Sequence, residues 1–185
     1  MKELPKRPND WITKSTKTVY DNQWISVDHH EVQNPGGGDG IYGVVHFKNI
    51  AIGIIPIDSN GLITLVGQFR YPHNAYSWEI PAGGGPKQEE PLEAAKRELE
   101  EETGLTSTKW SRALEMDLSN SASDERSIIF LAENCIAGVS NPEETEALEI
   151  IKISIDELYN RVDNGEVRDS LTVAAALWLK LNRDK

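Results

Sequence analysis

The chain has 185 residues and carries 19 Lys and Arg against 30 Asp and Glu, a net charge of −11. That length is one domain's worth and can bury a substantial core. The acidic balance excludes the usual way of holding nucleic acid through its phosphates, whereas a small phosphorylated ligand stays possible because a bound Mg²⁺ inverts the local sign.

Met1 to Pro5 lacks the apolar stretch of a signal peptide, and residues up to Asp10 are polar with prolines, the composition of a tail. Thr16 to Val32 is rich in β-branched and aromatic residues and predicts two strands broken near Asp21-Asn22. Asn34 to Gly40 is an emphatic turn before a strand at Ile41 to Phe47. Ile50 to Ile57 is apolar enough to be a strand buried on both faces, and Asp58-Ser59-Asn60-Gly61 turns it into a strand at Leu62 to Phe69. Trp78 to Pro81 is a short extended piece before a glycine run, Gly83-Gly84-Gly85, expected as a loop.

After the acidic segment described next, strands are expected over Thr108–Leu118, Ile128–Ala132 and Glu149–Ile155, with polar or acidic loops at Ser119–Asp124 and Asn141–Glu146. A helix opens at Ile155 and runs to about Val162. A last helix is capped by Asp169-Ser170 and carries Leu171, Ala174, Ala175, Trp178, Leu179 and Leu181 as its apolar pattern. Strands arranged as hairpins with few helices between them predict an α+β layer fold rather than a doubly wound parallel sheet. The single cysteine, Cys135, excludes an intrachain disulfide framework, and no apolar run reaches membrane-spanning length. The expectation is a soluble cytoplasmic protein with no nucleic-acid or membrane partner.

The most informative segment is acidic and runs from Glu89 to Glu102. Pro91 suits a first helical turn and Gly104 a left-handed C-cap, so a helix is predicted from about Glu89–Pro91 to Thr103. Glu98, Glu101 and Glu102 stand at i, i+3 and i+4 and share one face, while Leu92, Ala95 and Leu99 form an apolar stripe. Carboxylates crowded on one face repel each other unless they are solvated or hold a cation. A cluster of them without His or Cys prefers Mg²⁺ or Mn²⁺.

Residues Gly83 to Leu105 resemble the Nudix box, Gly-x5-Glu-x7-Arg-Glu-U-x-Glu-Glu-x-Gly-U with U aliphatic. Gly83, Glu89, Arg97, Glu98, Leu99, Glu101, Glu102, Gly104 and Leu105 occupy its fixed positions. The resemblance implies an α/β/α sandwich around a mixed sheet, with the box as loop-helix-loop. It also implies hydrolysis of a diphosphate bond with Mg²⁺, or Mn²⁺, held by Glu98, Glu101, Glu102 and the Ala82 carbonyl. Arg97 would brace one of these glutamates, and Gly83 and Gly84 would let the backbone approach the substrate.

The strands before Ile50 look like those of Nudix enzymes that cleave ADP-ribose and other nucleoside diphosphate sugars. That implies residues 1–48 as a dimerisation region, 49–185 as the hydrolase domain, and a homodimer. In that subgroup the general base lies on an acidic loop well after the box, which here makes Glu144 the first choice and Glu146 the second. Glu101 is the alternative within the box. Gln68-Phe69-Arg70-Tyr71 and Ser77-Trp78-Glu79-Ile80-Pro81 are similar to subgroup segments in which Arg70 would contact a phosphate and Glu79 would lie near substrate or metal. Ser123-Asp124-Glu125 resembles another such segment.

Trp11, Tyr20, Trp24 and Tyr71 are candidates to stack on a base, though core packing is the expectation for most of them. His29, His30, His46 and His73 show no metal-ligand spacing. Ser119-Asn120-Ser121 stands where ADP-ribose hydrolases usually carry a proline, which favours a broader or different substrate such as GDP-mannose. Two further readings of the fold are a hydrolase of nucleoside triphosphates or dinucleoside polyphosphates and a non-catalytic nucleotide-sugar sensor.

Overall fold

A computed structural model describes residues 3–138 and 148–182. The chain divides into two units: one runs to Lys48 and takes in Leu118–Glu125, and the other comprises Asn49–Asp117 and Arg126 onward.

The first unit is a three-stranded antiparallel sheet in chain order, β1 (Ile12–Asp21), β2 (Ile25–Gln33) and β3 (Asp39–Phe47). The break at Asp21-Asn22 is a side-chain turn in which Asn22 Oδ1 accepts from the backbone N–H groups of Trp24 and Ile25, each at 2.8 Å. At the second turn Asn34 Oδ1 accepts from the Gly36 and Gly38 N–H groups, and Gly37 takes φ 85°, a conformation that favours glycine. β1 begins at Ile12 rather than at Thr16, because Ile12 pairs with Gln33 at the far end of β2. Leu118–Glu125 docks on β3 through Val45, whose N–H donates to the Ala122 carbonyl (2.9 Å) and whose carbonyl accepts from the Asp124 N–H (3.1 Å).

This sheet has almost no core of its own. Among its described residues Val32 is the only buried hydrophobic one, and Ile12, Val19, Tyr20, Trp24 and Ile41 are exposed. The core role expected of most of the aromatics is therefore not found: Trp11, Tyr20 and Trp24 in this unit, and Tyr71 in the other, are all exposed. For the three in this unit the reason is that its described residues form strands and turns but no helix to cover a face. Trp11 instead packs edge-on to Tyr42, with ring centroids 5.5 Å apart.

The second unit holds β4 (Asn49–Asp58), β5 (Leu62–Arg70), β6 (Ala75–Glu79), β7 (Ala82–Pro86), β8 (Leu105–Thr106), β9 (Lys109–Asp117), β10 (Arg126–Ala137) and β11 (Glu149–Ser154). Its helices are α1 (Pro91–Thr103), α2 (Ile155–Asp163) and α3 (Ser170–Asn182). The strand order is β11-β5-β4-β10-β8, with β6 beside β5, β7 beside β4 and β9 beside β10. β4 and β10 run parallel and the other pairs antiparallel, so the sheet is mixed, as the α+β expectation requires.

The alternation of β4 and β10 builds the layers. Ile52, Ile54, Ile128 and Phe130 pack with Ala94, Ala95 and Leu99 of α1. A side chain at Gly53, between Ile52 and Ile54, would meet Ile80, Ile129 and Leu171 of α3. Helices therefore cover both faces of this sheet. Ser154 Oγ caps α2 by accepting from the Glu157 N–H (3.1 Å), and Asp169 caps α3 by accepting from both the N–H and the hydroxyl of Thr172 (2.8 and 2.7 Å). Leu181, expected on the apolar face of α3, is exposed, and Thr172 and Ala176 are buried instead. Among the described residues no helix is long and apolar enough to cross a membrane.

Candidate active site

The glycine run expected as a loop is a strand. β7 pairs with β4 so that Gly83 faces Ile52, Gly84 faces Ala51 and Gly85 faces Ile50. The absence of side chains is what lets α1 lie directly over this strand. A Cβ on Gly83 would fall inside the Glu98 carboxyl group, and one on Gly85 would stand 3.0 Å from Ile52 and 3.1 Å from Ala94. A Cβ on Gly84 would stand 2.8 Å from the Asn49 side-chain amide. These close approaches give the glycines a reason within the protein itself.

α1 starts with Pro91 in its first turn and stops at Gly104, whose φ of 66° ends the helix while its N–H donates to the Glu100 carbonyl at 2.8 Å. Between these caps the three glutamates do share a face, and each meets a different partner. Glu102 is buried, and its Oε2 accepts from the Ala82 N–H at 3.1 Å. Glu98 and Glu101 both accept from Arg97 Nη1, at 2.8 and 2.9 Å. Arg97 Nη2 reaches the Gly84 carbonyl at 3.3 Å and Glu89 at 3.4 Å.

Arg97 thus fastens β7 and the segment before α1 to the carboxylate face. Partial burial by itself would pull its guanidinium down, but the adjoining Glu98, Glu101 and Glu89 more than reverse that and hold it well above the ordinary arginine value. Glu93 and Glu100 lie on the exposed side of the helix, with Glu93 paired to Lys96 at 2.7 Å.

Arg70 and Glu79 come together across β5 and β6, with Arg70 Nε donating to both Glu79 carboxylate oxygens at 3.0 and 3.2 Å. The Glu79 side chain is only 4 % exposed against 41 % for Arg70, so the arginine carries the pair's open face. Burial pushes the Glu79 carboxyl up, and Arg70 and Ser77 outweigh it, leaving Glu79 below the usual carboxylate range. Arg70 in turn is raised, first by its bond to Glu79 and further by the charges of Asp169 and Glu102. The Arg70 pair therefore sits within electrostatic reach of the box.

A cavity of about 760 Å³ opens beside this pair, with Arg70, His73, Tyr76, Glu79, Arg168 and Asp169 among its lining. Its size suits a small organic ligand. Arg168 and His73 were not singled out by sequence reasoning, and Asp169 was read only as a helix cap. Their shared location depends on β6 and the start of α3 meeting in space, for which a linear sequence has no spacing signal. Glu144 and Glu146, expected as the general base, lie outside the described residues.

Residues 47–173 match the family model described as the NUDIX domain, and residues 11–45 match the one described as the nucleoside diphosphate sugar hydrolase N-terminal domain. An ADP-ribose pyrophosphatase of Mycobacterium tuberculosis (strain ATCC 25618 / H37Rv) is 33 % identical over 91 % of this chain and 83 % of its own length. One from Bacillus subtilis (strain 168) is 30 % identical over 91 % of this chain and 92 % of its own. A crystal structure of an ADP compounds hydrolase superposes with a TM-score of 0.84 over 95 % of each chain at 18 % identity, a likeness of fold. With its complete box on α1 and β7 and a family match over most of its length, the chain belongs to the Nudix hydrolase family.

Proposed function

We propose that this protein hydrolyses the diphosphate bond of ADP-ribose or a closely similar nucleoside diphosphate sugar, releasing a nucleoside monophosphate and a sugar phosphate. The observation that carries the reading is the carboxylate face of α1: Glu98 and Glu101 gathered by Arg97, and Glu102 buried against the Ala82 N–H. Its donors are all oxygen, which fits Mg²⁺ or Mn²⁺ rather than a softer metal. Glu98, Glu101, Glu102 and the Ala82 carbonyl would hold the cation. Bound there, it would polarise phosphoryl oxygens and neutralise charge on the leaving phosphate.

The protein's own groups do the rest. Arg97 limits repulsion among the glutamates and fixes where they point. Arg70, oriented by Glu79, presents a guanidinium suited to a substrate phosphate in the lining of the cavity. A carboxylate removes the proton of the attacking water, with Glu144 ahead of Glu146 and Glu101 as the alternative. The names of the relatives put ADP-ribose ahead of GDP-mannose, although the run Ser119-Asn120-Ser121 lacks the proline usual in ADP-ribose hydrolases. Residues 49–185 form the hydrolase domain in this reading. Residues 1–48, with apolar side chains exposed on their sheet, pair two chains into a homodimer.

Product analysis with Mg²⁺ across ADP-ribose, GDP-mannose, dATP and diadenosine polyphosphates tests the substrate class. ADP-ribose is expected to be cleaved fastest, to AMP and ribose 5-phosphate. Faster turnover of dATP or of a dinucleoside polyphosphate would overturn the reading.

A further inference from the structure

We propose that Asp28, His30 and His46 form a binding site for a borderline transition-metal dication such as Zn²⁺, separate from the box. Asp28 and His30 are two residues apart on β2 and so share a face. His46 pairs with Ser26 across β3, which puts it on the same face and diagonal to Asp28. One ligand atom from each of the three lies within 4.8 Å of the others, and His46 Nε2 is 3.7 Å from Asp28 Oδ2.

What distinguishes this cluster from a chance meeting of side chains is how the rings are held. His30 Nδ1 is hydrogen-bonded to the Thr16 hydroxyl at 3.2 Å, and His46 Nδ1 to the Asp124 carboxylate at 2.8 Å. Each imidazole is thereby held through Nδ1, which leaves Nε2 as its ligand atom. A carboxylate behind a metal-binding imidazole is a recurrent arrangement that fixes its tautomer and strengthens it as a ligand. A simple ion pair of His46 with Asp28 and Asp124 accounts for only part of this. His30 Nε2 and Asp28 Oδ1 are buried with no hydrogen-bond partner, and buried polar atoms are ordinarily satisfied. A cation held between the three side chains would take up His30 Nε2 and the Asp28 carboxylate.

The donor set selects the ion. Two imidazole nitrogens and one carboxylate oxygen suit Zn²⁺, Co²⁺ or Ni²⁺, whereas Mg²⁺ prefers oxygen donors throughout. Zn²⁺ bonds of about 2.0–2.2 Å put tetrahedral ligands roughly 3.3–3.5 Å apart, so the three side chains close inward slightly on binding and leave a fourth position to water. The ion ties β2 to β3 directly, β1 through Thr16, and Leu118–Glu125 through Asp124. This sheet has Val32 as its only described buried hydrophobic residue, and small units without an adequate core are the ones that metals staple.

The test uses the full chain in saturating Mg²⁺, which occupies the oxygen-rich box. Calorimetric titration with Zn²⁺ is expected to show one tight ion per chain. The histidine ring ¹⁵N resonances of His30 and His46 should shift on Zn²⁺ addition, with His73 unmoved. His30→Asn should weaken Zn²⁺ binding at least 100-fold, and Asp124→Asn, acting through His46, by about 10–100-fold. Unchanged Zn²⁺ affinity in His30→Asn, or unshifted His30 and His46 rings in the wild type, would overturn the proposal. The ring resonances need no substitution, so a variant that fails to fold leaves the test intact.

Discussion

Glu98, Glu101 and Glu102 occupy one turn of α1, yet their surroundings separate them. Glu102 is almost wholly buried and fixed by the Ala82 N–H, Glu98 lies over Gly83, and Glu101 is reached only through Arg97 among the contacts described above. Glu102→Gln keeps an oxygen to accept from Ala82 but removes the charge. It is expected to fold normally and to lose turnover by about 10²- to 10³-fold, the usual cost of deleting one electrostatic stabiliser, as read by phosphate-release kinetics beside a thermal melt. Gly83→Ala should act on the fold instead. Its methyl group competes with the Glu98 carboxylate, and overpacking of this kind costs about 1–3 kcal/mol, readable as a lower urea midpoint. Cys135 is buried, and burial pushes its thiol up to about 11. Native protein at neutral pH should therefore alkylate far more slowly than the unfolded chain, which stopped-time iodoacetamide labelling will measure.

The elements are positioned by their ends and by single cross-links. α1 stops where Gly104 takes φ 66°, a conformation that costs an L side chain about 1–2 kcal/mol. Gly104→Ala should lower the unfolding free energy by that amount, read as a lower urea midpoint with the m-value unchanged. β5 and β6 are linked by Arg70 and Glu79, and the sign of the pH effect follows from Glu79. Its folded value lies below the ordinary 4.5. The stabilisation is therefore fully present above the unfolded value and is lost as pH falls through the folded one. Stability measured from pH 6 down to pH 3 should decline through this window, and Glu79→Gln should flatten that part of the decline while lowering stability at pH 6. An equally steep acid limb in the variant would assign the decline to other carboxylates.

At the scale of the whole molecule, the exposed Ile12, Val19, Tyr20, Trp24 and Ile41 of the three-stranded sheet are the residues on which the proposed homodimer depends. Light scattering at micromolar concentration should give the mass of two chains. Trp24→Arg with Ile41→Arg should shift the population to one.

Much of the fold was legible because its signals are local. α1 announced itself through Pro91, Gly104 and the spacing of its glutamates, and β4 through an unbroken apolar run. β7 was not legible: three glycines carry no propensity for a strand, and pairing with β4 alone makes them one. The aromatics of the first unit misled for the complementary reason, since their chemistry suits a core that the three-stranded sheet does not provide.

The sequence by itself determined that Glu98, Glu101 and Glu102 share one face of α1, because residues at i, i+3 and i+4 of a helix are neighbours whatever surrounds the helix. It also determined that the donors on this face are all oxygen. Tertiary structure alone decided that Glu102 is the buried carboxylate and that Arg70 answers to Glu79. It also gathered Asp28, His30 and His46 at one point. These outcomes depend on strand register and on which elements touch, and contacts between distant segments leave no periodic trace in a linear sequence.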